Sequence, residues 1–251
     1  SITDALADFA AGKFLIVTDD ESRENEGDLI VLAEKVTAEQ TAFMVRHTTG
    51  ILCVAIDKST ARRLELPMMY ESNQDKRKTA FTVSVDAVAG LTTGVSATER
   101  TTTIRTLASS TATAKDFIRP GHIFPLVAHE EGLAGRGGHT EAGLALAQLV
   151  GGSPAALLSE IVNDDGSMAR GEGVAGGNPA TEGFVWRFAA LSVILHPGVW
   201  NFVVSAGCPS GQHTRIRGCQ YGHYIREHHV SLQRLFRSED RRRFRIAADR
   251  R

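Results

Sequence analysis

The chain has 251 residues, 42% of them hydrophobic, with a net charge of −1 and three Cys. That length can bury a sizeable core, while the cysteines are too few for a disulfide framework and the balanced charge points away from nucleic acid as the main partner. No apolar run is long enough for a membrane span, and no charged-then-apolar leader opens the chain, so the expectation is a cytoplasmic protein. The balance hides an asymmetry. Residues 171–251 hold twelve Arg and no Lys against six acidic residues, whereas residues 1–170 are net acidic. The shift near Arg170 divides the chain into a candidate catalytic domain, 1–170, and a divergent Arg-rich tail, 171–251.

In chain order, Ser1–Ala11 reads as a short helix with Ile2, Ala5, Leu6 and Phe9 on one face, ended by Gly12. Apolar runs at 14–17 and 29–33 read as strands on either side of an acidic loop. Thr37 and Gln40 have capping-box spacing and open a helix to about His47. A buried strand follows at 51–56, then a short helix opened by Ser59 and a polar loop over 67–79. Residues 80–88 read as a strand. Ser96 and Glu99 form a second capping box, opening a helix to about Ala108. Arg119-Pro120-Gly121-His122 reads as a turn before a strand at 123–128. The glycine-rich stretch 135–138 leads into a helix at 142–150, and a strand at 155–162 ends the series. Alternating strands and helices predict an α+β fold, a layered α/β/α sandwich on a mixed sheet.

The acidic loop, VTDDESRENEGDLI over 17–30, holds six carboxylates, one Arg and one Gly. Crowded like charges at a strand end need water, Arg partners or a divalent cation as compensation. Polar residues of reactive type recur at four further strand ends or helix starts: Ser96–Arg105, His122, Arg136–Glu141 and Glu160. The Gly-rich turn lets backbone N–H groups approach an anion at a helix start, with Arg136 as a bidentate partner. Singly, each has a plain structural reading as a tight turn, a surface His or a salt-bridged acid. Jointly they supply the ingredients for enolising a phosphorylated sugar.

Five stretches occur in order: DDESRENEGDLI (19–30), TTGVSATERTTTIR (92–105), RPGHIFPL (119–126), GRGGHTEA (135–142) and SEIVNDDGSMAR (159–170). Together they resemble 3,4-dihydroxy-2-butanone 4-phosphate synthase of riboflavin biosynthesis, across essentially all of 1–170. The resemblance implies a lyase that converts D-ribulose 5-phosphate to 3,4-dihydroxy-2-butanone 4-phosphate and formate, by enolisation, dehydration, rearrangement and C–C cleavage. It implies Mg²⁺ or Mn²⁺, no organic cofactor, and a homodimer with sites near the interface. Glu24 and His139 match the metal-ligand positions. Arg23, Glu24 and Asp28 match substrate contacts, and Arg136, Gly137, Gly138, His139 and Thr140 match the phosphate and substrate loop. His122 and Glu160 match the catalytic positions, Glu160 also touching substrate. Glu26, Cys53, Glu99, Thr101 and Thr103 match helper positions, the two Thr at a phosphate-holding helix start. Asp19, Asp20 and Glu21 are left as solvated charges or turn formers.

Glu99 stands where the family usually has Asp, Ser159 where Cys is common, and Gly137 where Pro is frequent. Beyond SMAR the expected closing helix and ITIADLI-like strand are absent, and helix-like patterning returns only near Val230–Phe236. The closing elements are therefore expected to be missing or replaced, by a frame-altered or degenerate extension. Cys208, His213, Cys219 and His223 have no zinc-like spacing and read as incidental. The alternative reading is a non-catalytic phosphosugar-binding protein whose basic tail binds polyanions.

Overall fold

The fold was obtained as a computed structural model that describes residues 2–19, 22–170, 174, 189–196 and 199–206. Apolar strands dictate its centre. The runs β1 (Leu15–Thr18), β2 (Gly27–Leu32), β3 (Cys53–Ile56) and β6 (Ala155–Glu160) are buried nearly throughout. Such strands need cover on both faces. They join β4 (Val85–Ala87), β5 (Phe117–Val127), β7 (Ala189–His196) and β8 (Val199–Ala206) in one sheet of order β4-β5-β3-β6-β2-β1-β7-β8. β3/β5 and β1/β7 are parallel and the other pairs antiparallel, so the sheet is mixed as expected.

Residue alternation sorts the two cores. Leu15, Val17, Ile30, Leu32, Cys53, Ala55, Ala156 and Leu158 face α1 (Ile2–Ala10) and α5 (His139–Leu149). Ile16, Leu29, Val31, Val54, Ile56 and Leu157 face the layer of α2 (Ala38–His47), α3 (Lys58–Arg63) and α4 (Ala97–Ala108). The result is the predicted three-layer α/β/α arrangement. Gly143 lets α5 sit close on the sheet, since a Cβ there would lie 3.2 Å from the Ala156 Cβ. Both internal capping boxes form: Thr37 with Gln40, and Ser96 with Glu99.

Four local expectations change. Asp57, not Ser59, caps α3, because its carboxylate accepts the Thr60 N–H at 2.7 Å. Only Val85–Ala87 of the segment 80–88 forms a strand. The turn expected at 119–122 lies inside β5, where a register shift opposite Val85 and Asp86 accommodates Arg119–His122 and the cis Arg119–Pro120 bond. α5 begins at His139, three residues early, because its first turn is packed into the sheet end.

The sheet continues past Arg170. Val174 is buried against Gly27, and β7 pairs with β1 before turning back as β8. A hairpin thus takes the edge beside β1. The remainder of the tail, including Val230–Phe236 and the four Cys and His noted above, lies outside the described residues, as do Ser1, Asp20 and Glu21.

Candidate active site

The acidic loop is organised around Asp19. Its side chain is fully buried, and its carboxylate accepts the N–H groups of Glu24 (3.2 Å) and Glu26 (2.9 Å) and pairs with Arg23 at 2.7 Å. Asn25 takes a positive φ of 54° to close the turn. Asp19 is therefore a turn former whose carboxylate is buried rather than solvated. Glu24 is left half-exposed above it, hydrogen-bonded to Arg23 and 3.3 Å from Arg77. Glu26 pairs with Arg170 at 2.5 Å.

Asp28 differs from its neighbours. It is 2% exposed, and strand register sets it between Val17 of β1 and Glu160 of β6. Its Oδ1 is buried with no hydrogen-bond partner. Burial pushes its carboxyl well above the usual range, and the negative neighbours Glu160, Asp19, Glu24 and Glu26 push the same way. Glu160 is likewise raised by burial and by Glu26, against a hydrogen bond with the Thr49 side chain. Cys53 points to the same face. Burial and then the two acids push its thiol upward, which makes it an inert group rather than a nucleophile.

The start of α5 closes over these acids. Its N-cap is Gly138, which supplies no side-chain cap. A Cβ there would lie 2.4 Å from Arg136 Nη1, so glycine makes room for the Arg136–Glu141 ion pair at 2.6 Å. Arg136 also bonds Thr79 Oγ1 and the Arg77 carbonyl, both at 3.0 Å, and Gly137 links it to this cap. Thr140 is buried in the first turn. His139 is buried with Nδ1 3.5 Å from Asp28 Oδ1, and its Nε2 has no partner. Burial lowers its pKa to about 4, with Arg23 and Arg136 acting the same way and Asp19 opposing. A neutral imidazole nitrogen results, the form that binds metal. Ligand atoms of Asp19, Glu24 and His139 all lie within 4.8 Å of one another.

Not every expected residue joins this cluster. His122 lies on β5, two strand steps from β6 and three from β2, a lateral offset of about 10–14 Å at ordinary strand spacing. Its partner is Asp86: Oδ1 accepts the His122 N–H at 2.9 Å, and Oδ2 lies 2.7 Å from Nδ1. Glu99 accepts from the N–H and hydroxyl groups of both Thr92 and Ser96, which hold its carboxyl well below the usual range, Thr92 foremost. Thr101 donates to the Ala97 carbonyl at 2.7 Å and lies 2.6 Å from the Thr41 hydroxyl of α2. Thr103 is fully buried and accepts the Ala87 N–H at 2.9 Å. The hydroxyls of Thr101 and Thr103, expected to hold phosphate, face the interior here and tie α4 to α2 and β4.

Sequence reasoning missed Asp86 and Arg77, and gave Glu141, inside the stretch Arg136–Glu141, no role of its own. Glu141 sits in the GHTEA motif, and Arg77 in a basic run. Asp86, one acid in an apolar strand, gave the weakest signal.

The sequence model of the family 3,4-dihydroxy-2-butanone 4-phosphate synthase matches residues 3–176. This chain belongs to that family. Over 170 residues it is 52% identical to riboflavin biosynthesis protein RibBA of Chlamydia trachomatis, a match over 68% of this chain and 40% of that protein. Over 172 residues it is 57% identical to a probable bifunctional riboflavin biosynthesis protein, RIBA 1, of Oryza sativa, a match over 67% of this chain and 32% of that protein. The chain therefore spans about two fifths or less of the length of these relatives. A crystal structure of 3,4-dihydroxy-2-butanone 4-phosphate synthase in complex with two magnesium ions superposes with a TM-score of 0.67 at 46% identity, covering 69% of this chain and 86% of that one. Among the described residues no helix is long and apolar enough to cross a membrane.

Proposed function

We propose that the chain is a lyase that converts D-ribulose 5-phosphate to 3,4-dihydroxy-2-butanone 4-phosphate and formate in riboflavin biosynthesis, using Mg²⁺ or Mn²⁺ and no organic cofactor. The reaction divides the five carbons of the substrate into four and one, with no other reactant in its net balance. The observation that carries the reading is the pair of buried atoms without a hydrogen bond, Asp28 Oδ1 and His139 Nε2, beside the clustered Asp19 and Glu24. Native interiors rarely leave such atoms unsatisfied unless something else binds them.

The donor set fits a divalent cation. Glu24 and His139 would hold it, with Asp19 nearby but already bonded to Arg23 and two backbone N–H groups. When bound, the ion stabilises negative charge developing on substrate oxygens. The chain's own groups divide the remaining work. Asp28, held protonation-prone by burial, exchanges protons with the sugar at carbon and hydroxyl, and Glu160 on the neighbouring strand relays them. The start of α5, with Arg136, Gly137, Gly138 and Thr140, receives the phosphate end through N–H groups and positive charge. Arg23 orients the sugar, and Glu26 holds Arg170 across the loop.

His122 is the second acid–base group. Its separation from the cluster within one chain supports a homodimer in which sites form near the interface. The deciding assay is formate release from ribulose 5-phosphate with Mg²⁺, repeated with EDTA. Metal-dependent formate is expected. Binding of the sugar phosphate without formate would instead favour the non-catalytic binding protein.

A further inference from the structure

We propose that Asp86 is a positioning residue for His122: it fixes the neutral imidazole as the Nδ1–H tautomer and leaves Nε2 as the working nitrogen. This rests on the reading of His122 as an acid–base group and adds the residue that sets its proton.

The geometry is that of a two-point clamp. One carboxylate oxygen holds the His122 backbone N–H at 2.9 Å and the other faces the ring Nδ1 at 2.7 Å, so backbone and ring are oriented by the same side chain. An ionised carboxylate only accepts hydrogen bonds, so Nδ1 must carry the hydrogen. Nε2 is then free to accept a proton and return it. An ordinary surface pair would have two exposed, mobile partners and little energetic consequence. Here the Asp86 side chain is 10% exposed while that of His122 is 41% exposed. The acid is anchored in the protein, and the ring is presented.

The seat for Asp86 is built by close backbone approaches. A Cβ at Gly94, whose φ is +77°, would fall 2.2 Å from Asp86 Oδ2. A Cβ at Gly121 would fall 2.0 Å from the Val85 carbonyl carbon. The register shift between Val85 and Asp86 places the carboxylate against the Arg119–His122 bulge. Glu99 in turn pins Thr92, two residues from Gly94. These features converge on the orientation of one carboxylate.

Asp86→Asn tests the proposal with almost no change of shape. The amide oxygen must stay on the His122 N–H, because an NH₂ there would oppose another donor. The NH₂ therefore faces Nδ1 and donates to it, which forces the Nε2–H tautomer. In chain labelled with ¹⁵N-histidine, long-range ¹H–¹⁵N imidazole spectra, with the His122 signal assigned by His122→Asn, should report Nδ1–H in the parent chain and Nε2–H in D86N. With ribulose 5-phosphate, kcat should fall about 100-fold or more while KM stays within about twofold, as for other acid–base groups held in the wrong tautomer. In a His122→Asn background, D86N should cost nothing further. An unchanged tautomer, an unchanged kcat, or an equal loss in the His122→Asn background would each overturn the proposal. If the chain releases no formate at all, the functional reading fails, yet the tautomer spectra still decide what Asp86 does to His122.

Discussion

Two helix starts, α4 and α5, looked alike in sequence, each a polar, Thr-containing run entered from a glycine-bearing turn. Their candidate ligand groups have opposite fates. At α4, Glu99 is saturated by Thr92 and Ser96, Thr101 by Ala97 and Thr41, and Thr103 by Ala87 and the Glu99 carbonyl. At α5 the N-cap is a bare Gly138, and His139 and Asp28 each keep a buried polar atom with no partner. Arg100 Nε in α4 is likewise buried without a hydrogen bond, so the contrast lies in the acids and hydroxyls: those at α4 are bonded within the fold, while the ligand-type atoms at α5 are left for something that binds.

The largest effect that tests this contrast is at His139. His139→Ala removes the neutral nitrogen beside Glu24 and Asp19, and Mg²⁺-dependent formate release is expected to disappear. Isothermal titration with Mn²⁺ should show lost affinity, while far-UV circular dichroism stays that of the parent. Retention of metal-dependent activity would erase the distinction between the two helix starts.

Next comes Asp28→Asn, where activity and stability should move apart. Formate release is expected to fall about 10²–10⁴-fold, the usual contribution of a positioned acid–base group. Metal-free stability at neutral pH should rise, because the amide carries no charge for burial and the neighbouring acids to penalise. The sign with pH follows from the raised folded-state pKa. Stability from the protonated carboxyl is fully present below the unfolded pKa and is lost as pH rises towards the folded one. The advantage of the Asn variant should therefore be absent near pH 3 and grow towards neutrality in urea melts.

The contrast also explains what could be read in advance. Capping boxes at Thr37 and Ser96 are local, set by side chains three residues apart, and both form. The layered mixed sheet followed from apolar runs and their alternation with helices. Long-range choices were less legible. RPGH carries turn residues, yet pairing with β3 and β4 draws it into β5. Asp19 carries the same charge as its neighbours, and only the folded loop turns its carboxylate onto the N–H groups of Glu24 and Glu26. Arg77 reaches the site from a loop about 50 residues away through Glu24 and the Arg23 carbonyl. Nor does the Arg-rich composition beyond Arg170 announce a hairpin beside β1.

At α4 the expected effects are smaller and fall on stability. Thr103→Val keeps the shape but strands the Ala87 N–H, at a cost of about 1–3 kcal/mol. Chemical denaturation should show that loss, with KM for ribulose 5-phosphate unchanged. A large rise in KM would return Thr103 to a phosphate-holding role.

Glu99→Gln should have the smallest effect, and its pH dependence makes it informative. The carboxylate accepts from Thr92 and Ser96, so its folded-state pKa is depressed below the unfolded one. Its stabilisation is present above the unfolded pKa and lost as pH falls towards the folded pKa. The amide can replace only part of that acceptor set, because its NH₂ opposes the donor groups it meets. The melting temperature of the variant should therefore lie below the parent's at neutral pH, with the gap narrowing as the solution is acidified. Asp28→Asn predicts the reverse trend, a gain that grows with rising pH. The opposite slopes would separate an acid whose charge the fold satisfies from one whose charge the fold resists.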